Sequence, residues 1–140
     1  MEDGITSFKL NWYDCGLSCA EDTVQEEIAI YRKDNYMAIK ELNGYGVICS
    51  AVIIHVEKEK IDDFFGFLEK IANELEEDYG VMVCDGSSWQ VRMWYSSHKI
   101  QKVCGTVKYP PHGKKIERYI RSFITYSKKV IDPVMFGCSF

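Results

Sequence analysis

The feature that most restricts the fold of this chain is a change of hydrophobic period near its middle. Residues 47–56 form an apolar run rich in β-branched side chains, which predicts a central strand that is apolar on both faces. Residues 58–78 then follow the stripe of an amphipathic helix, and we expect Gly80 to end it. The apolar positions of that stripe are spaced by three and four, and they are Ile61, Phe64, Phe65, Leu68, Ile71, Ala72 and Leu75.

The rest of the chain shows the same two periods. Alternation from Phe8 to Trp12 predicts a first strand, and Asp34-Asn35 is typical of a tight turn between two strands. The apolar tail, residues 130–140, is expected to pack against the body of the protein and could form an edge strand. In chain order, the predicted elements after the first are strands at 24–33, 36–42 and 47–56, the helix at 58–78, strands at 81–84, 89–95 and 99–109, and a helix at 114–129.

These elements predict one α+β domain over residues 1–140. Each half has a hairpin-then-helix order, with a strand-rich part at 5–56 before the first helix and strands at 81–109 before the second. Each element has an apolar side to bury, so we expect a mainly antiparallel sheet with both helices packed on one face. The length of 140 residues suits a single domain.

The formal net charge of −4 conceals a division along the chain. Residues 1–85 carry a formal charge of −12, whereas residues 86–140 carry +8. Solvated helix faces, and favourable pairing between an acidic and a basic helix, explain this division without any function. The alternative is that the basic half meets an acidic partner, which would be nucleic acid, a nucleotide or an acidic protein surface.

Aromatic residues lie among the basic ones in the second half. Trp89, Trp94, Tyr95 and Tyr109 are all close in sequence to Lys or Arg, and an exposed aromatic ring beside a cation is typical of single-stranded nucleic-acid binding. Strand alternation, however, puts Trp89 and Tyr95 on the face opposite Trp94. Only part of this aromatic set can therefore be exposed.

The cysteines and histidines predict no metal site and no cofactor. Of six cysteines, only Cys15 and Cys19 form a close pair, and no second pair completes a zinc site of ordinary spacing. A thiol enzyme in which His98 or His112 activates Cys84 remains an alternative, because a thiolate needs a base or a positive charge nearby. The chain contains no nucleotide-binding or hydrolase motif, so we expect a protein that is not an enzyme.

One stretch has a recognisable pattern. Asp85-Gly86 and Trp89 are followed by Gly105 and by Tyr109-Pro110. This resembles a D-G-x-x-W … G … Y-P pattern in small uncharacterised bacterial proteins. The resemblance implies a strand pair followed by a helix and carries no activity. The residues themselves indicate a turn, a buried tryptophan, a glycine where another element approaches closely, and a helix start.

We expect a cytoplasmic protein. The acidic N-terminus lacks the basic start and apolar run of a secretory signal, and no apolar run is long enough to cross a bilayer. In that compartment the cysteines are expected to be reduced thiols. Neither a membrane nor a cofactor is predicted as a partner.

The leading hypothesis is a module that acts by protein–protein contact. Small acidic proteins without enzyme motifs are typical of inhibitors and immunity proteins of bacteria, phages or mobile elements, an analogy of size and charge alone. Self-association and binding of a nucleotide or single-stranded nucleic acid remain alternatives. Because Trp and Arg are common interface anchors, the first candidate contacts are Arg92, Trp94, Arg118 and Arg121. The second candidate is the acidic end of the first helix, which could mimic phosphates or simply be solvated, and consists of Glu74, Glu76, Glu77 and Asp78.

Overall fold

The structure, a computed structural model, describes residues 3–14, 23–79, 87–106 and 108–137. Within them the chain forms two α-helices, α1 (Lys58–Ile71) and α2 (Gly113–Ser127), and a short 3₁₀ turn, Ala72–Glu74, continues α1. The strands are β1 (Ile5–Asp14), β2 (Thr23–Tyr31), β3 (Tyr36–Asn43), β4 (Ile48–His55), β5 (Asp78–Tyr79), β6 (Ser87–Tyr95) and β7 (Ile100–Thr106).

These seven strands form one sheet with the order β4-β3-β2-β1-β6-β7-β5. Neighbouring strands are antiparallel except β5, which runs parallel to the end of β7. The two halves of the chain meet at the long pair formed by β1 and β6. The predicted α+β class with a mainly antiparallel sheet is therefore confirmed.

Both helices cover the same face of this sheet. Alternate residues of the central strands are fully buried beneath them, as period-two patterning predicts. Burying one such side chain stabilises the fold by about 1.5–3 kcal/mol. The shared core contains, among others, Phe8, Leu10, Ile28, Ile30, Val91 and Met93 from the strands and Phe64, Phe65, Leu68, Ile116, Ile120 and Phe123 from the helices.

The helices pack on each other through aromatic rings rather than through their opposite charges. Tyr119 of α2 lies with its ring centroid 5.3 Å from that of Phe67 of α1, and its hydroxyl donates to Asp63 at 3.2 Å. In the described part of the chain, no Lys or Arg of α2 forms an ion pair with α1, and only His112 and Glu74 pair where the two elements meet, at 3.4 Å. Most of the charge on both helices is solvated.

The prediction of a central strand at residues 47–56 is wrong. In the described sheet, β4 lies at the edge and pairs only with β3. Val52 and Ile54 face the core as expected, but Ile53 on the opposite face is 60% exposed. An apolar run shows that both faces of a strand are hydrophobic, but not which strands pair beside it, because those partners are distant in sequence.

The predicted end of the first helix at residue 78 is also wrong. The α-helix ends at Ile71, because the backbone that follows forms hydrogen bonds with residues of β7 instead of continuing the helix. Gln101 Nε2 donates to the carbonyl of Ala72 at 2.9 Å, and the amide of Cys104 donates to the carbonyl of Glu77 at 2.9 Å. The chain therefore leaves the helix to form β5 beside β7.

The C-terminal tail packs against the body as predicted, but residues 130–137 form no strand. Met135 and Phe136 are fully buried, and the Phe136 ring contacts Trp89 with the centroids 5.1 Å apart. The predicted strand at 81–84 and the last three residues lie outside the described residues.

Candidate partner-binding surface

The face of the sheet opposite the helices is covered by no other element in the described ranges. We call this surface the open face. Pairing register identifies the side chains that point to it, since residues directly opposite each other share a face. Its strand residues include Lys9, Asn11 and Tyr13; Glu27, Ala29 and Tyr31; Tyr36, Ala38 and Lys40; Ala51, Ile53 and His55; Gln90, Arg92 and Trp94; and Lys102, Cys104 and Thr106.

The open face is basic although the protein as a whole is acidic. Its cations come from four strands and are Lys9, Lys40, Arg92 and Lys102, whereas Glu27 and, at the far edge, Asp78 are its acidic residues. The net charge of the whole chain is −4. A partner approaching the open face therefore meets a charge opposite to the average of the molecule.

Trp94, near the end of β6, has two of these cations close to its ring. Lys9 Nζ lies 5.9 Å from the centroid of its ring, and Arg92 Cζ lies 5.4 Å from it. Lys9 also pairs with Glu27 at 3.2 Å, and Arg92 Nη2 donates to Asn11 Oδ1 at 3.1 Å. These contacts fix the indole and the guanidinium in place, so little side-chain entropy is lost when a partner binds them.

Arg92 still has unused donor capacity. Its Nε is buried and has no hydrogen-bond partner among the described residues, and its one hydrogen bond there is the Nη2 bond to Asn11. A guanidinium can donate five hydrogen bonds, and a carboxylate is the acceptor that best matches its planar fork. Because Nε is shielded from solvent, an acidic group placed beside Trp94 would be bound through the terminal nitrogens of the guanidinium.

Shallow depressions run across the open face on both sides of Tyr31. One of about 370 Å³ is lined by Ser7, Lys9, Tyr31, Trp94 and His98. A second of about 280 Å³ crosses β2, β3 and β4, and it also includes Tyr31. A third of about 290 Å³ lies over β6 and β7. The first two share Tyr31 and together form an elongated depression across the strands, which fits an extended segment better than a compact small molecule.

Of the first set of candidate contacts, the structure brings together Arg92 and Trp94 only. Arg118 and Arg121 are exposed on α2, in the layer on the other side of the sheet. Arg121 also pairs with Asp132 of the tail at 2.9 Å. The four residues therefore do not form one surface, and we retain the two that share the open face.

The second set does not lie on one helix face. Glu74 belongs to the 3₁₀ turn and pairs with His112, Glu76 and Glu77 lie in the connection that follows, and Asp78 belongs to β5. All four are exposed. Because the helix ends before them, they lack the regular spacing that phosphate mimicry would use.

Sequence reasoning correctly placed Trp94 on the face opposite Trp89 and Tyr95, since the register puts the last two toward the helices. It missed Lys9, Tyr31 and the other contributions of β1 to β3 to the open face. Their alternation is visible in the sequence, but only strand pairing shows that they lie beside Trp94.

The described residues give little support to the alternative of a metal or thiol enzyme. Among them, no three His, Cys, Asp or Glu side chains lie close enough together to hold a metal ion. Burial raises the pKa of the Cys104 thiol, and the nearby Asp78 raises it further, which disfavours the reactive thiolate. Cys15, Cys19 and Cys84 lie outside the described residues.

Comparison with protein-family models, curated protein sequences and solved structures finds no match to this chain. Within the described ranges, the helices are too short or too polar to span a membrane.

Proposed function

We propose that the protein acts by binding another protein, and that the open face holds an extended, acidic segment of that partner. The observation that carries this proposal is Trp94 with Lys9 and Arg92 close to its ring, on a basic sheet face that no described element covers. Tryptophan and arginine are the residues that most often dominate interface energies, and rigid anchors bind with a smaller entropic cost. Binding itself would be the activity, as in an inhibitor or an immunity-type protein that blocks the functional surface of its partner.

The distribution of charge favours a protein over a single-stranded nucleic acid. The basic residues of the second half divide between the two sides of the molecule, with Arg92 and Lys102 on the open face and Arg118 and Arg121 on α2. A nucleic-acid backbone requires a continuous track of cations.

The experiment that tests this proposal is site-directed photo-crosslinking in cells that produce the protein. A photoreactive amino acid replaces Tyr31, where two depressions meet, or, as the matched control, Arg118 on α2. We expect one protein partner to be captured from position 31 and not from position 118, and we expect its capture to be lost when Trp94→Ala is added.

Two results would contradict the proposal. Capture of the same protein from position 118 alone would place its contact on the helical side. Capture of nucleic acid rather than protein from position 31 would support the alternative of a single-stranded nucleic-acid binder.

A further inference from the structure

The outer edge of β4 has no neighbouring strand in the described part of the chain. The amide of Val56 donates to the carbonyl of Asn35 at 2.9 Å, so the backbone of Val56 points toward the β3 side. Because bonded and non-bonded positions alternate along an antiparallel pair, Ala51, Ile53 and His55 point their N–H and C=O groups away from β3. The edge therefore offers a row of backbone donors and acceptors.

This edge lacks the usual protection against pairing. Exposed edge strands are normally interrupted by charged residues, proline or bulges. Ile48–His55 contains no Lys, Arg, Asp, Glu or Pro, and its register is irregular only at its start, opposite Leu42. Large exposed apolar side chains are concentrated on this strand and on the turn before it: Tyr45 (72% exposed), Val47 (57%), Ile48 (53%) and Ile53 (60%).

We propose that β4 is a dimerisation edge, at which two copies of this chain pair antiparallel about a twofold axis through Val52. This register sets Ala51 opposite Ile53 of the partner subunit, and both of these residues have outward-pointing backbone groups. A twofold axis perpendicular to the sheet keeps both open faces on the same side. The dimer would thus have one continuous sheet and one doubled open face, although the pairing itself does not depend on the proposed function.

The choice of a second copy as the occupant follows from the composition of the edge. Ile48–His55 carries no Asp, Glu, Lys or Arg, so it offers nothing to a partner of opposite charge, and an identical apolar strand is complementary to it. The residues just beyond its end, Glu57, Lys58, Glu59 and Lys60, alternate in sign and sum to zero formal charge. Antiparallel pairing sets them beside the apolar start of the other copy, whereas in-register parallel pairing would set Glu57 beside Glu57.

The available area also suits a dimer. If a fully exposed large side chain offers roughly 150–200 Å², the four exposed apolar side chains supply at most roughly 400 Å² per copy, because Ile53 projects from the open face and a neighbouring strand covers only part of it. That is at most about 800 Å² for the pair, before the strand backbones and Ala51 are counted, and specific interfaces begin at about 1,200 Å². Pairing of the exposed stretch of β4 is expected to supply the remainder.

Sedimentation equilibrium of the full chain tests the proposal. We expect a concentration-dependent dimer for the wild type, and a dimer weakened at least about 10-fold by Ile53→Lys, which places a charge near the axis. Ile100→Lys is the matched control, because it introduces the same charge at an exposed isoleucine of β7, and it should leave the dimer unchanged. If Ile53→Lys fails to fold, Ala51→Lys replaces it.

Disulfide trapping then tests the register. In a chain carrying Cys49→Ser, Val52→Cys should form an intermolecular disulfide, because residue 52 lies opposite its own copy in a closely spaced non-bonded pair. Ala51→Cys should not, because its counterpart lies two positions away along the strand. A wild type that stays monomeric at about 100 μM, well above the concentrations at which a specific dimer forms, or a dimer unaffected by both lysine variants, would overturn the proposal.

Discussion

The indole of Trp89 lies directly against the backbone of Gly105, its partner in the pairing of β6 with β7. A Cβ atom built on Gly105 would approach the ring to 2.5 Å, closer than any real contact. Trp89 is 1% exposed, and its Nε1 donates to the carbonyl of Lys108 at 2.9 Å. The expected buried tryptophan and closely approached glycine are therefore present, while Asp85 and Gly86 of the same pattern lie outside the described residues.

Gly105→Ala should destabilise the protein by about 1–3 kcal/mol or more, because the added methyl must displace the Trp89 ring in a packed core. The measurement is the free energy of unfolding from urea titration. Gly66→Ala is the control, since Gly66 lies within α1 and a Cβ there meets nothing within 4 Å. It should stabilise the protein by about 0.5–1 kcal/mol. Equal effects of the two substitutions would show that the close approach is not important.

The local pattern of apolar and turn residues was sufficient to predict most of the secondary structure. The turn at Asp34-Asn35 was predictable because Asn tolerates a positive φ, and Asn35 has φ of 53°. The inward stripe of α1 followed directly from its spacing. What local pattern did not contain was the strand order, and this is why β4 was expected in the centre of the sheet and lies at its edge.

The candidate surface was predictable only in part, for the same reason. Arg92 and Trp94 could be placed on one face from their spacing of two within a single strand. Lys9 comes from β1 and Tyr31 from β2, and their proximity to Trp94 depends on long-range pairing. Charge along the sequence was a poor guide, because Arg118 and Arg121 belong to the same basic half and lie on the other side of the sheet.

A buried glutamate binds the C-terminal tail through hydrogen bonds to its backbone. Glu26 is 1% exposed on the inner face of β2, and its carboxylate accepts the amides of Val134 and Met135 at 2.8 and 2.7 Å. Burial raises the pKa of Glu26 above its ordinary value of 4.5, although the two amide hydrogen bonds lower it, and the nearby Glu41 and Asp132 add to the increase. A raised pKa in the folded state means that folding favours the protonated carboxyl.

The contribution of Glu26 to stability is therefore full below its unfolded pKa of about 4.5 and is lost as the pH rises through the folded pKa. Glu26→Gln should remove this loss. Relative to the wild type, the free energy of unfolding of the variant should increase as the pH rises above about 4.5 and should level off above the folded pKa, by about 1.4 kcal/mol for each unit of raised pKa. Glu59→Gln, on the exposed side of α1, is the control. Parallel pH profiles of wild type and Glu26→Gln would contradict the assignment.

The nucleic-acid alternative makes a separate prediction. If the basic half held single-stranded nucleic acid, charge reversal by Arg118→Glu and Arg121→Glu would weaken binding and reduce its salt dependence. We expect fluorescence anisotropy with a labelled oligothymidine to show no specific binding at about 150 mM salt, for wild type and variant alike. Salt-sensitive binding that the double variant abolishes would favour the alternative and place it on α2.

The most direct test of the central claim is the affinity of the partner, once captured, for variants of the open face. Calorimetric titration should show that Trp94→Ala weakens binding at least about 30-fold, the loss of an anchor worth about 2 kcal/mol, and that Arg92→Ala weakens it comparably. The control Arg118→Ala/Arg121→Ala should change the affinity less than about 2-fold, within the range of a solvated surface. Unchanged affinity in Trp94→Ala, with a loss in the double α2 variant, would contradict the account and move the binding surface to the helical side.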